Sequence, residues 1–176
     1  MDIVIVDDHQ LFLDGLSGLI KQSFASATVT TAINASQALS IIQGLKSFPD
    51  IILLDLNLPG ISGLTLARQL QQSSIWSPII IISASESMMD AKIALEHGTS
   101  GYLPKSTNSE TLCLAINKVL GGEIYLPDGW SELLSQSCKS NNSTDTTLTP
   151  RQYEILHLMS QGLSNKVIAQ HLKVSE

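Results

Sequence analysis

The sequence predicts an α/β domain built on a parallel sheet, followed by a smaller all-α segment. From residue 1 to about residue 122, short β-branched apolar runs alternate with longer amphipathic stretches, which is typical of repeated βα units. The runs at 51–54 and 79–82 are entirely aliphatic, as expected for strands that helices cover on both faces. Residues 137–147 are almost all Ser, Thr, Asn, Asp and Lys, and this composition predicts a flexible linker before the second unit.

Five βα units can be counted in the first part. The predicted strands are 3–6, 28–33, 51–55, 79–83 and 101–103. The predicted helices are 10–23, 36–45, 63–72, 87–97 and 109–120, in which apolar residues recur every three or four positions. We expect the flavodoxin-like strand order 2-1-3-4-5, an order taken from known sheets of this type.

Composition limits the classes of protein. With 43% hydrophobic residues among 176, the chain can bury a core. No apolar run approaches the roughly 18 residues that span a bilayer, and acids stand where a secretory signal would be basic, so we expect a cytoplasmic protein without membrane contact. The net charge of −6 makes strong nucleic-acid binding by the whole chain unexpected. Cys113 and Cys138 are expected to be free thiols.

Acidic residues follow two strands that should be neighbours. Asp7 and Asp8 come at the end of the first strand, and Asp55 ends the third. In an open α/β sheet the crevice for ligands lies at the carboxyl ends of the strands, where the strand order reverses. Three carboxylates there would raise one another's pKa unless a cation lies among them. Mg²⁺ fits, because it prefers oxygen ligands and keeps sites for water and phosphate.

A hydroxyl and an ammonium should enter the same crevice, because Ser83 ends the fourth strand and Lys105 follows the fifth. A carboxylate can attack phosphorus and hold the group as an acyl phosphate, and such transfers depend on positioning and on positive charge. We therefore predict Asp55 as the nucleophile, with Ser83 and Lys105 binding the phosphoryl oxygens. Each residue alone would more often be a helix cap, a turn residue or a surface group. Five such residues at or just after the ends of strands favour the interpretation as a phosphoryl-transfer site.

Four motifs resemble two-component receiver domains. They are Val-Asp-Asp-His at 6–9, Leu-Leu-Asp-Leu-Asn-Leu-Pro-Gly at 53–60, Ile-Ile-Ser-Ala at 81–84 and Gly-Tyr-Leu-Pro-Lys-Ser at 101–106. His9 and the Gly-Gly-Glu-Ile-Tyr-Leu-Pro run at 121–127 are similar to the NarL/FixJ subfamily of response regulators. The resemblance covers roughly residues 2–122.

The resemblance implies roles for particular residues. Asp55 would be phosphorylated by a sensor histidine kinase, and the main-chain carbonyl of Asn57 would join Asp8 and Asp55 as a metal ligand, with Asp7 bound directly or through water. Ser83 and Tyr102 would form the switch pair. Asn57 and Ser85 would tune the lifetime of the phosphoryl group. Phosphorylation would favour a homodimer, and the protein would not be an enzyme beyond its own phosphorylation and dephosphorylation.

One position departs from the family pattern. Many receivers follow the lysine with a proline in a cis peptide, whereas here Pro104 precedes Lys105 and Ser106 follows it. A cis bond before Ser106 would cost about 2.5–4 kcal/mol. The isomer of that bond stays open at this point.

The tail resembles the first two helices of a LuxR-type helix-turn-helix. Thr149 and Pro150 suit a helix start, and a second start follows at Ser164. By the resemblance Ser175 would cap the recognition helix, which is therefore expected to be missing, so that the DNA-binding residues are unknown and DNA binding belongs to a full-length form. We predict a receiver at 1–122, a linker at 123–147 and an incomplete helix-turn-helix at 148–176. We expect a shortened product of a longer regulator rather than a naturally short one.

Three other functions compete with this interpretation. A stand-alone receiver could signal through protein contacts of its fourth and fifth helices. An aspartyl-phosphate hydrolase of the haloacid dehalogenase type would need a second acid two residues after the nucleophile, where this sequence has Asn57. A nucleotide-binding fold is disfavoured because no Gly-x-Gly-x-x-Gly follows the first strand.

Overall fold

The computed structural model describes residues 1–131 of the chain. Five strands and five helices alternate along them. In chain order they are β1 (Asp2–Val6), α1 (Gln10–Ser23), β2 (Thr28–Ala32), α2 (Ala35–Gly44), β3 (Ile51–Asp55), α3 (Gly63–Gln72), β4 (Ile79–Ser83), α4 (Met88–Glu96), β5 (Gly101–Pro104) and α5 (Ser109–Leu120). The α/β class is confirmed, whereas the predictions made for residues 132–176 lie outside the described residues.

The five strands form one parallel sheet in the order β2-β1-β3-β4-β5. This confirms the expected flavodoxin-like order. Every residue of β3 and β4 is buried, because helices cover both faces of the sheet. The strand order reverses between β1 and β3, so the crevice expected for a ligand lies beyond Val6 and Leu54, which are register partners.

Successive residues of a strand point to opposite faces of a sheet, and the core is accordingly divided in two. Ile3 and Ile5 pack with α1 and α5 on one face. Val4 and Val6 pack with α2, α3 and α4 on the other. Burying an aliphatic side chain of this size contributes roughly 1.5–3 kcal/mol, so both layers are needed to hold the strand ends in place.

Helix caps account for the small differences from the predicted boundaries. Asn34 caps α2 by accepting a hydrogen bond from the Gln37 backbone N–H (2.9 Å), so β2 ends before Ile33. Ser87 caps α4 through the Asp90 backbone N–H (3.4 Å) and therefore precedes the helix. Among residues 1–131, no helix is long and apolar enough to cross a membrane.

Candidate functional site

The predicted acidic residues do come together at the end of the sheet. Asp7 directly follows β1 and Asp55 ends β3, and both side chains are almost completely buried. Asp8 lies beside them and is about one-third exposed. Ligand atoms from these three carboxylates and from His9 all lie within 4.8 Å of one another. The cluster is therefore compatible with a divalent metal ion, in line with the expected oxygen-rich site.

Lys105 lies between the two buried carboxylates. Its Nζ is 2.6 Å from Asp7 Oδ2 and 3.3 Å from Asp55 Oδ1. The ammonium also lies 4.8 Å from the centre of the Phe12 ring, within the range of a cation–π contact. The Lys105 backbone N–H donates to the Ser83 carbonyl (2.7 Å), which fixes the start of the β5–α5 loop. Packing and backbone pairing thus hold this cation at the mouth of the crevice.

His9 also belongs to the cluster, although in the sequence it indicates only the family resemblance. Its Nδ1 lies 3.0 Å from Asp7 Oδ1 and 2.9 Å from Asp8 Oδ1, and its backbone N–H donates to Asp7 Oδ1 (2.9 Å). The signal was present in the sequence, because His9 directly follows two acids at the start of a helix. The backbone contact orients the Asp7 carboxylate.

The charges of the crevice are not balanced by Lys105 alone. Burial raises the pKa of Asp55, and the neighbouring Asp7 carboxylate raises it further. Lys105 and the backbone N–H of Asn57 act in the opposite direction but do not cancel the shift. Three carboxylates facing one ammonium favour an additional cation, and all three offer hard oxygen ligands. The donor set therefore suits Mg²⁺.

Ser83 and Tyr102 are connected through the loop that follows β4. The Ser83 side chain is fully buried, and its Oγ accepts a hydrogen bond from the Ser85 backbone N–H (3.1 Å). The Tyr102 hydroxyl donates to the Ser85 carbonyl (2.8 Å). Burial raises the pKa of Tyr102, so its hydroxyl remains a donor at neutral pH. The Ser85 hydroxyl in turn donates to Asp90 Oδ2 in α4 (2.6 Å).

Ser106 takes the place where many receivers have proline. No peptide bond within residues 1–131 is cis, so the bond before Ser106 is trans. The Ser106 hydroxyl donates to Glu86 Oε1 (2.8 Å), which joins the β5–α5 loop to the β4–α4 loop. A polar side chain therefore makes a link here that a proline could not make.

Gly63 is a second residue whose role at the site no pattern in the sequence predicts. It begins α3, and its backbone N–H donates to the Leu56 carbonyl (2.8 Å). A Cβ at this position would overlap the Asp55 carbonyl oxygen and would lie 3.2 Å from the Leu56 Cα. The helix can therefore approach the strand end that carries Asp55 only because residue 63 has no side chain.

The variant Gly63→Ala is expected to lower the free energy of unfolding by about 1–3 kcal/mol, because either α3 or the Asp55 backbone must move. It should also slow any reaction of Asp55. Chemical denaturation would measure the stability. Gly18→Ala is the matched control, since a Cβ at that exposed position of α1 meets nothing within 4 Å and should stabilise by about 0.5–1 kcal/mol. Equal stabilisation by both substitutions would contradict the assigned packing.

Comparison with protein families divides the chain in the same way. The family described as the response regulator receiver domain matches residues 3–117. The family described as bacterial regulatory proteins, luxR family, matches residues 146–176. The first match contains every candidate site residue from Asp7 to Lys105, and the second begins within the polar segment that was predicted to be a linker.

Individual relatives give the same result. The chain is 35% identical to the nitrate/nitrite response regulator protein NarL of Escherichia coli over 99% of this chain and 82% of that protein. It is 32% identical to a nitrate/nitrite response regulator protein homolog of Haemophilus influenzae over 100% of this chain and 83% of the other.

A similar solved structure is a LuxR-family two-component response regulator from Aurantimonas, with a TM-score of 0.70, 28% identity and coverage of 78% of this chain and 97% of that one. The acidic crevice and the parallel sheet are therefore consistent with the two family matches. The chain belongs to the response regulators, as a receiver domain followed by a LuxR-type helix-turn-helix, and it acts in two-component regulation of transcription.

Proposed function

We propose that Asp55 accepts a phosphoryl group from a phosphohistidine of a sensor kinase. The observation that carries the proposal is the buried Asp55 carboxylate, which ends β3 with the Lys105 ammonium 3.3 Å from its Oδ1. A carboxylate in this position has a fixed direction of attack and a cation beside it. Phosphoryl transfer depends on both positioning and positive charge.

The reaction forms one bond and breaks one. An Asp55 carboxylate oxygen bonds to phosphorus while the phosphorus–nitrogen bond breaks, and the histidine of the donor leaves with the electron pair and takes up a proton. The Lys105 ammonium can stabilise the negative charge first on the carboxylate and then on the phosphoryl oxygens. Ser83 Oγ already accepts from the Ser85 backbone N–H, so its own O–H is left to donate to a phosphoryl oxygen.

A divalent cation supplies further neutralisation of the phosphoryl charge when it is bound. Its ligands would be Asp8, Asp55 and the main-chain carbonyl of Asn57, with Asp7 bound directly or through water. His9 orients Asp7 through the backbone contact described above. Asn57 and Ser85 flank the reacting groups and are the positions that set how long the acyl phosphate survives attack by water.

The output of this chemistry is control of DNA binding. The LuxR-type match at 146–176 supports DNA as a partner, and phosphorylation favours a homodimer that contacts two half-sites. The protein works in the cytoplasm, where the kinase presents its phosphohistidine, and it makes no membrane contact of its own. It consumes one phosphoryl group per cycle and is not a multiple-turnover enzyme.

Chemical trapping tests the phosphoacceptor. With acetyl phosphate and Mg²⁺, the protein should gain one phosphoryl mass. Borohydride reduction of the acyl phosphate should then yield homoserine at position 55, as located by peptide mass spectrometry. Recovery of the group at Asp7, Asp8 or His9 would overturn the assignment, and steady hydrolysis far beyond one equivalent would favour a hydrolase.

A further inference from the structure

The chain continues past α5 along the free edge of the sheet. Residues 123–131, here called the post-α5 segment, pass beside β5. The Tyr125 backbone N–H donates to the Ser100 carbonyl (2.9 Å), and the Tyr102 backbone N–H donates to the Tyr125 carbonyl (3.0 Å). Gly101 and Tyr125 form a parallel bridge, and a Cβ on Gly101 would lie only 3.0 Å from the Tyr125 carbonyl oxygen. The segment is thus paired closely with β5.

Side chains of the post-α5 segment enter both layers of the core. Tyr125 is buried with α1 and α5. Leu126 and Trp130 pack on the opposite layer, the one that contains Tyr102. The Trp130 ring is 5.9 Å from the Tyr102 ring at an interplanar angle of 32°, a separation typical of aromatic pairs that stabilise by about 0.5–1.5 kcal/mol. Trp130 lies beyond residue 117, where the receiver match ends.

Tyr102 connects this aromatic contact to the reacting groups. Its side chain is fully buried, so its position depends on the side chains packed against the ring. Its hydroxyl holds the Ser85 carbonyl, and the Ser85 N–H holds the Ser83 hydroxyl oxygen. Three contacts therefore run from Trp130 to Ser83, each between groups that are buried or partly buried. In this arrangement Ser83 Oγ accepts from the Ser85 N–H, and the Ser83 O–H can turn to donate to a phosphoryl oxygen.

We propose that Trp130 is a positioning residue for the phosphorylation site, acting through Tyr102 and Ser85 on Ser83. The inference rests on the proposed phosphorylation of Asp55. When Trp130 packs on Tyr102, the Ser85 carbonyl and the Ser83 hydroxyl are held in the arrangement that can bind a phosphoryl group. Because coupling between two sites is reciprocal, a phosphoryl group that binds Ser83 tightens the post-α5 segment on β5. The post-α5 segment, which precedes the LuxR-type segment in the sequence, thereby responds to phosphorylation of Asp55.

Trp130→Ala in the full chain tests the first half of the proposal. We expect the phosphorylated fraction at steady state with acetyl phosphate and Mg²⁺ to fall, through a lifetime of the acyl phosphate shortened by about fivefold or more. Trp130→Phe keeps a ring against Tyr102 and should restore most of the lifetime. Ile124→Ala is the matched control, because that side chain belongs to the same segment but is about half exposed. In a Tyr102→Phe background, Trp130→Ala should have little further effect.

Spectroscopy and hydrogen exchange test the second half. Trp76 and Trp130 are the two tryptophans of the chain, so Trp76→Phe makes Trp130 the sole indole fluorophore. Its emission should change when Asp55 is phosphorylated, and the amide hydrogens of Tyr102 and Tyr125 should exchange more slowly.

The outcomes can be told apart. If the wild type is phosphorylated but a folded Trp130→Ala leaves the lifetime unchanged, the positioning role is refuted while the proposed function stands. Unchanged exchange at Tyr102 and Tyr125 on phosphorylation would refute the reciprocal effect. If the wild type is not phosphorylated, both proposals fail together. Thermal denaturation of each variant separates loss of positioning from loss of folding, and the hydrogen-exchange test needs only the wild type, so it decides the matter if Trp130→Ala does not fold.

Discussion

Asp55→Asn is expected to abolish phosphoryl incorporation and, at neutral pH, to raise the free energy of unfolding. An amide of the same shape cannot form the acyl phosphate, so no mass gain should be seen with acetyl phosphate or with a phosphorylated kinase. The gain in stability follows from the buried negative charge that Asn removes. Asp7 is then the one buried carboxylate beside Lys105, at 2.6 Å, and it is balanced by one ammonium. We expect a gain on the order of 1–3 kcal/mol, the usual cost of a buried polar group that is poorly compensated.

The gain should depend on pH in a definite direction. The pKa of Asp55 in the folded protein lies above its unfolded value of 3.8, mainly because of burial and then because of Asp7. Between these two values the folded state binds the proton more tightly, so the wild type loses stability as the pH rises. The advantage of Asp55→Asn should therefore be absent below about pH 3.8, grow through the folded pKa and stay constant above it.

Urea denaturation of both proteins across this pH range, without metal, would measure the difference. Adding Mg²⁺ should then stabilise the wild type more than the variant, because Asp55 is one of the proposed ligands. A variant that is less stable than the wild type at neutral pH, or an equal effect of Mg²⁺ on both proteins, would contradict the charge balance described for the crevice.

Lys105→Gln is expected to slow phosphorylation of Asp55 by about 100- to 1,000-fold, the usual effect of removing one preorganised group that stabilises developing charge. The ammonium lies 3.3 Å from Asp55 Oδ1 and is the cation closest to the reacting carboxylate among the described residues. Glutamine keeps a hydrogen-bond donor but no charge. Because Lys105 lowers the pKa of Asp55, its loss should also raise that pKa further.

The same variant should be less stable at neutral pH, since Asp7 and Asp55 would share the crevice without a cation. A double-mutant cycle separates this effect from simple loss of packing. Adding Asp55→Asn to Lys105→Gln should recover stability by more than Asp55→Asn gains in the wild type. Lys118→Gln is the control, because that lysine is exposed and lies in the last turn of α5. Phosphorylation of Lys105→Gln at the wild-type rate would exclude the proposed role of the ammonium.

Patterns of a few residues were enough to predict the sheet and the acidic crevice. The aliphatic runs of β3 and β4 can be buried on both faces only in a sheet covered by helices, and a parallel sheet puts its carboxyl ends at one edge. Asp7, Asp55, Ser83 and Lys105 could therefore be assigned to one crevice from their positions at strand ends. Their individual roles remain predictions until the chemistry is tested.

Boundaries and close approaches were decided by contacts between distant parts of the chain. Whether Ile33 continues a strand depends on the competing Asn34 cap. The requirement for glycine at position 63 arises from its contact with the backbone of Asp55, eight residues earlier, and no local pattern contains it. The bond before Ser106 is trans, with the Ser106 hydroxyl donating to Glu86 in the β4–α4 loop.

The sequence by itself determined the fold class, the resemblance and which strand ends carry oxygen ligands. These features depend on apolar periodicity and on motifs whose residues lie close together along the chain. Only the tertiary structure decided how the charges are shared. It placed His9 between two carboxylates and Lys105 on both Asp7 and Asp55, and it packed Trp130 on Tyr102. Such contacts depend on the distances between strand ends, which side-chain packing sets and which spacing along the chain does not encode.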